Sequence, residues 1–320
     1  MAASPSLAPV VCIGEILIDL IAPPGESLAT AQTFAISEGG APMNAAVALA
    51  RLRMAASFCG VVGDDPFGQR LRALLEHEGV DCSALRATSE APTSLAYAWR
   101  NERSDGQFQL MRLADKLLSG DDIGNAGIAG AGAILVGSVA LAASPSREAI
   151  YDAIELAREH DIPVMFDVNV RSSLWGSQSR LYAACEPVLQ HATLLKLCLD
   201  DARCLWGAET LAEAVSHAGG HDPWLTVVTD GSRGLVVKQR GLEAIREFPV
   251  VAVEAVDPTG AGDAFTAALV TRMARSGWVL PSDEDIRFAM AAGALATTRQ
   301  GALTALPRLI ELERFLADYG

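Results

Sequence analysis

Short apolar runs rich in Val, Ile and Leu recur along the chain, and most hand over to a stretch with helical spacing. Val10-Val11-Cys12-Ile13, Phe58-Cys59-Gly60-Val61-Val62, Ala133-Ile134-Leu135-Val136, Val164-Met165-Phe166, Leu194-Leu195-Lys196-Leu197 and Leu225-Thr226-Val227-Val228 are the clearest. They are continuous rather than alternating, as strands buried on both faces are. Helical stretches fall at about 45–52, 66–78, 145–160, 179–189 and 200–206, and the chain after Asp263 is mostly helical. Strand–helix alternation of this kind demands a parallel sheet covered on both sides. The chain therefore reads as one α/β domain over residues 1–320, a three-layer αβα arrangement with a mainly parallel central sheet.

Two places complicate that rhythm. Residues 10–21 read as one buried first strand, interrupted by Glu15 and Asp19. These acids lie either on a solvated face or, for Asp19 near the carboxyl end, against a ligand. Residues 92–112 alternate on both sides of a polar turn, Asn101-Glu102-Arg103-Ser104-Asp105-Gly106, which reads as a β-hairpin. With the short run near 32–37 it forms a small β lid, spanning about 22–37 and 91–113. Leu95, Tyr97 and Trp99 at period two give that lid one apolar face. Such a face either covers a ligand or pairs with a second lid in a homodimer.

The formal net charge of −14 excludes a nucleic-acid-binding surface, which needs basic residues to meet phosphates. No apolar run reaches membrane-spanning length, and the first residues lack a basic segment followed by an apolar one. The six cysteines are scattered with no C-x-x-C pair, so a cytoplasmic protein with reduced thiols is expected. The five histidines show no metal-ligand spacing.

The chemistry concentrates at Asp257-Pro258-Thr259-Gly260-Ala261-Gly262-Asp263, between the β-branched run Val250-Val251-Ala252-Val253, read as a strand, and a helical pattern. The first N–H groups of a helix lack internal partners and the helix dipole is positive there. Glycines allow close approach, so this turn can cradle a phosphate. Asp263 places a proton acceptor beside the cradle, which transfer of a phosphoryl group to an alcohol requires. An ordinary Asp titrates at about 3.9 and is ionised at neutral pH. Gly39-Gly40-Ala41-Pro42-Met43-Asn44 opens a second helix, where Asn44 is either a cap or a two-sided hydrogen-bonding group. Further polar clusters fall after other strands, at Asp167-Val168-Asn169-Val170-Arg171, from Lys196 to Asp201, and from Thr229 to Gly234. Together they describe the rim of one site. No Walker-type phosphate loop, G-x-G-x-x-G fingerprint or G-x-S-x-G elbow is present.

The Asp257 to Asp263 stretch resembles the D-x-x-G-A-G-D signature of the ribokinase-like (PfkB-type) carbohydrate kinases. Gly39 to Asn44 resembles that family's amino-terminal glycine motif in its fructokinase form. Gly14-Glu15-Ile16-Leu17-Ile18-Asp19, Arg112-Leu113-Ala114-Asp115 and the segment from Phe166 to Trp175 are also similar to fructokinase segments. The resemblance implies an ATP-dependent sugar kinase, most plainly a fructokinase acting on the 6-hydroxyl of fructose. It implies Asp263 as general base, with Gly260, Ala261 and Gly262 as an anion hole. It further implies Asp19, Gly39, Gly40, Asn44, Arg112 and Arg171 on the sugar. Lys196, Thr229, Gly231, Gly234, Gly260 and Gly262 are implied on the nucleotide. Magnesium is expected with ATP, through a water on Asp201, and a monovalent cation such as potassium beside Asp257 and Thr259. Two departures stand out. Cys198-Leu199-Asp200-Asp201 replaces the family's N-x-x-E, and Asp230 puts a carboxylate beside the nucleotide segment. The rival readings are a kinase for another sugar or sugar acid, such as ribose or 2-keto-3-deoxygluconate, and a non-catalytic relative that only binds ligand.

Overall fold

A computed structural model describes residues 7–100 and 106–319. Nine strands form one twisted sheet: β1 (Val10–Ile13), β4 (Ala56–Gly63), β5 (Leu85–Thr88), β8 (Ala133–Gly137), β9 (Val164–Asp167), β10 (Leu194–Cys198), β11 (Leu225–Thr229), β12 (Leu235–Gln239) and β13 (Ile245–Phe248). Their order is β13-β12-β11-β10-β9-β8-β1-β4-β5. Every pairing from β11 to β5 is parallel, and the last two strands close one edge antiparallel. Successive residues of the central strands feed opposite cores. Val10, Cys12, Ala133 and Leu135 join one cluster with the helices Ala41–Arg51, Ala261–Arg275 and Asp283–Ala296. Val11, Ile13, Ile134 and Val136 join the other, with the helices Ser146–Glu159 and Gln178–Leu189. That double covering is why these strands read as continuous apolar runs.

A second sheet of four strands stands apart, in the order β3-β2-β6-β7, from β2 (Leu17–Ile21), β3 (Ala35–Gly39), β6 (Ser94–Arg100) and β7 (Gly106–Met111). The expected single strand over 10–21 is therefore two strands in two sheets. Gly14 explains the break: its φ of 148° is closed to side-chain-bearing residues, and a Cβ there would stand 2.8 Å from Pro42 Cγ. The small sheet reaches back to Leu17, earlier than the expected lid, and residues 22–34 add no strand to it. The β6–β7 pairing confirms the hairpin, whose turn over 101–105 lies outside the described residues.

The run Val250-Val251-Ala252-Val253 forms no strand. It lies beyond the edge strand β13, with Val250 45% exposed and Val251 packed against the core. Further on, the Val256 and Asp257 N–H groups both donate to Thr297 O, at 2.7 and 3.0 Å. The glycine turn thus follows a loop rather than a strand. All six cysteines are free, four of them buried. Among the described residues no helix is long and apolar enough to cross a membrane.

Candidate active site

Strand β1 pairs with β4 on one side and β8 on the other, so the chain leaves it in both directions. Crevices form at the carboxyl ends of strands at such a switch point. Here the crevice is a cavity of about 320 Å³, walled by the large sheet's loops and by the small sheet. Alternation along the small sheet turns Leu17, Asp19, Ala96, Phe108 and Leu110 into the cavity. Leu95, Tyr97 and Trp99 point the other way, so they do not cover a ligand held there. Tyr97 instead meets Phe34 edge-on, ring centroids 5.9 Å apart.

Asp263 lies in the first turn of the helix Ala261–Arg275, which begins at Gly260 with φ 84°. A Cβ on Gly260 would stand 3.0 Å from Ala302 Cα, and one on Gly262 2.8 Å from Lys196 Nζ. Both glycines therefore let neighbouring groups approach the turn. Gly260 and Gly262 line the cavity; the Ala261 N–H is turned onto Pro258 O at 3.2 Å. The Asp263 carboxylate is buried and accepts a 2.8 Å hydrogen bond at Oδ2 from Asn44 Nδ2. A carboxylate only accepts, so the amide nitrogen must face it, and Asn44 Oδ1 is left buried without a partner.

Lys196 Nζ is buried beside this turn and holds Asp167 at 3.0 and 3.1 Å. Thr266 Oγ1, from the Asp263 helix, donates to the same carboxylate at 2.7 Å. Burial and the nearby Asp167 charge push Asp263 up to about 7, against the pull of Asn44, Lys196 and Arg171. The expectation of ordinary acidity therefore fails, because the carboxylate is removed from water. Asp19 is likewise pushed up to about 6 by burial, with Arg171 opposing. The Arg171 guanidinium lines the cavity, pinned by Asn169 Oδ1 at 2.5 Å and set over the Phe108 ring at 5.6 Å. Asn169 itself has φ 43°, a conformation that Asn tolerates better than most residues, two positions after β9 ends at Asp167.

The glycine pair before Asn44 is also explained. A Cβ on Gly39 would fall on the Asp19 carboxylate, and one on Gly40, at φ 116°, would stand 2.5 Å from Glu15 O. Only Gly40 of the two lines the cavity.

Several expected residues lie elsewhere. Arg112 does not line the cavity. Its guanidinium donates to Asp115 at 2.6 Å, Val139 O at 2.7 Å and Ser146 Oγ at 3.1 Å, a buried structural pair behind the wall. Asp201 caps the helix Leu199–Trp206: its two oxygens accept from Val170 N at 2.7 Å and Cys198 N at 2.9 Å. Cys198 is the cap residue of that helix, its Sγ accepting from Asp201 N at 3.3 Å, and Asp201 does not line the cavity. Asp257 accepts from Thr259 N and Oγ1 at 3.1 and 2.7 Å and from Gly301 N at 3.0 Å, which ties the loop to the helix pair. Thr229, Gly231 and Gly234 sit at the β11–β12 turn, outside the cavity walls. The Asp230 carboxylate there is clasped by Arg233 at 2.6 and 2.7 Å, which neutralises the charge that departs from the family pattern. Among the described residues no cluster of three or more His, Cys, Asp or Glu could hold a metal.

Two groups at the site were not assigned from sequence, Asp167 behind Lys196 and Glu15 in the cavity wall. Asp167 was legible only as one of a polar cluster, since its partners Lys196 and Thr266 are distant in the chain. Glu15 is 3% exposed and lines the cavity, yet the sequence marks it only as an acid after a glycine in an apolar run.

A mainly parallel nine-stranded sheet and a separate small sheet that meet over one polar cavity define the ribokinase-like α/β kinases as a class. Residues 8–309 match the pfkB family carbohydrate kinase, and the chain belongs to that family. It is 35% identical over 311 residues to fructokinase-1 of Zea mays, covering 95% of this chain and 96% of that one. The structure of a Xylella fastidiosa fructokinase with bound ATP superposes with a TM-score of 0.83 at 31% identity, covering 97% and 98% of the two chains. A Vibrio cholerae O395 fructokinase variant, solved with fructose, ADP and a potassium ion, gives 0.83 at 32% identity over 98% and 99%. The protein is thus a sugar kinase, a phosphotransferase with an alcohol as acceptor.

Proposed function

We propose that the chain transfers the γ-phosphoryl group of MgATP to the 6-hydroxyl of fructose, with Asp263 as general base. The observation that carries this reading is the Asp263 carboxylate, buried at a helix N-terminus, oriented by Asn44 and open to the cavity beside Gly262 and Lys196. As O6 attacks phosphorus, its proton passes to Asp263, the O6–P bond forms, and the bond from phosphorus to the bridging oxygen breaks, leaving ADP with the electron pair. Gly260 and Gly262 present the helix's positive end to the charge that develops on the phosphoryl oxygens. Lys196 adds a cation held in place by Asp167. A base titrating near 7 is matched to work at neutral pH.

The cavity favours a neutral sugar over a sugar acid. Among the described residues Glu15, Asp19 and Asp263 line it against Arg171, the one lining cation with no carboxylate ion pair, because Lys196 is matched to Asp167 and Arg112 is withdrawn. Asp19, Gly40, Asn44 and Arg171 are the proposed sugar contacts. Thr229, Gly231 and Gly234 are the proposed nucleotide contacts, reached by an ATP that extends past the cavity toward β11.

Magnesium arrives with ATP as part of the substrate, and no step passes through Asp201, whose oxygens are engaged as a cap. For potassium, the Asp257 carboxylate is committed to Thr259 and Gly301, so the ligands that suit such an ion are backbone carbonyls of those two loops. The small sheet serves as a lid that keeps water from the phosphoryl group. Its outer face, with Tyr97 and Trp99 half-buried and Ile36 and Met111 46% and 41% exposed, is the proposed contact between two copies in a cytoplasmic homodimer. Light scattering of the purified protein tests that contact.

The deciding experiment measures kcat/KM with ATP across fructose, ribose, 2-keto-3-deoxygluconate and other sugars. Preference for fructose is expected, and preference for the sugar acid would overturn the charge argument. Ligand-induced stabilisation without turnover on any sugar would favour a non-catalytic relative.

A further inference from the structure

We infer that Glu15 determines sugar specificity, its unpaired Oε2 accepting a hydrogen bond from a sugar hydroxyl other than the one phosphorylated. This rests on the sugar-kinase reading above. Glu15 sits where the chain leaves β1 for β2, and its backbone is locked against Gly40. Its Oε1 accepts the Ala41 N–H at 3.2 Å, at the first turn of the helix that carries Asn44. That bond fixes the side chain. Glu15 lines the cavity, and its Oε2 is buried with no partner among the described residues. A buried acceptor left unmade is costly, so a ligand that supplies a donor is favoured and one that presents an anion is not.

Capping alone does not account for a glutamate, since one oxygen is enough for it and a glutamine carbonyl would serve. The charged neighbours of Glu15 are Arg112, Asp115 and Arg171, whereas those of Asp263 are Asp167, Lys196 and Arg171. Arg171 acts on both, and both line one cavity from different loops, so the two carboxylates address different parts of one ligand. Asn44 Oδ1, a second cavity-lining acceptor buried without a partner among the described residues, lies on the Asp263 side. A polyol laid between them satisfies both.

The test is Glu15→Gln, which keeps the cap and turns the unpaired acceptor into a donor. Expected are an unchanged melting temperature, an unchanged KM for ATP, and a rise in KM for the sugar of about tenfold or more with kcat nearly constant. A panel of deoxyfructoses then locates the hydroxyl. The wild type should lose about tenfold or more in kcat/KM on one analogue, and Glu15→Gln should not distinguish that analogue from fructose. An unchanged KM, or an equal penalty on every analogue with a lowered melting temperature, would overturn the assignment and leave Glu15 as a cap. If the wild type ignores fructose but uses another neutral sugar, the fructose reading fails and Glu15 is judged on deoxy analogues of that sugar. If calorimetry and turnover both show no neutral sugar bound, both readings fall.

Discussion

Asn44 Nδ2 donates to Asp263 Oδ2 at 2.8 Å, joining the first turns of two helices that are 219 positions apart in the chain. The bond ties the proposed sugar side of the cavity to the proposed phosphoryl side, and it is one of the forces that keep the buried Asp263 ionisable.

Asp263→Asn should remove turnover, by about a thousandfold or more, while leaving the fold intact. It should also stabilise the unliganded protein at pH 8. The Asp263 carboxyl titrates at about 7 in the fold against 3.8 as its ordinary value, so the folded state holds a proton that the unfolded state has lost. That stabilisation is present at low pH and lost as pH rises through about 7. At pH 8 the wild type carries a buried charge that the variant lacks, worth on the order of 1–4 kcal/mol. Thermal melts of both proteins at pH 5 and pH 8 check this, with the larger gap expected at pH 8.

The acid limb of kcat/KM should follow the same group. Activity should rise with pH up to about 7 and level off above it, since only the ionised carboxylate accepts a proton. Asn44→Leu removes a hydrogen bond that holds the value down, so the limb should move to higher pH. A profile that is flat across this range would place the base elsewhere.

Gly40→Ala should cost on the order of 1–3 kcal/mol of stability, through strain alone. The residue has φ 116°, and the added Cβ would meet the backbone oxygen of Glu15 at 2.5 Å, where no side-chain motion can relieve it. Urea unfolding measures the loss. The sugar KM should rise with it, because Gly40 begins the helix that presents Asn44.

Arg112→Met separates a structural arginine from a binding one. Arg112 and Asp115 form a pair 7% and 1% exposed, and removing the cation strands a buried carboxylate. A loss of about 3–5 kcal/mol in denaturant titration is expected. A variant of normal stability with only a raised sugar KM would return Arg112 to the sugar site.

Much of this site was legible because its residues sit in short local patterns. Gly260 to Asp263 and Gly39 to Asn44 each carry their own backbone geometry, and a glycine turn before a helix has few physical uses. The central strands were legible because burial on both faces leaves an unbroken apolar run. What failed was long-range. Nothing near Arg112 announces that Val139 and Ser146 will join Asp115 in claiming its donors, and Asp201 reads equally well as metal-facing or as a cap. Val250 to Val253 has the composition of a strand yet joins neither sheet, and sheet pairing is not a local property. The division of residues 10–21 between two sheets rested on Gly14 alone, whose meaning depends on Pro42 standing against it.

That division has a mechanical consequence. The large and small sheets share a seam only three residues long, Gly14-Glu15-Ile16, between the end of β1 and the start of β2. Any change in the angle between the sheets must be absorbed there and at the few other crossings. The seam is thus both a pivot and a wall of the cavity, and a ligand that grips Glu15 holds the joint as well as the sugar.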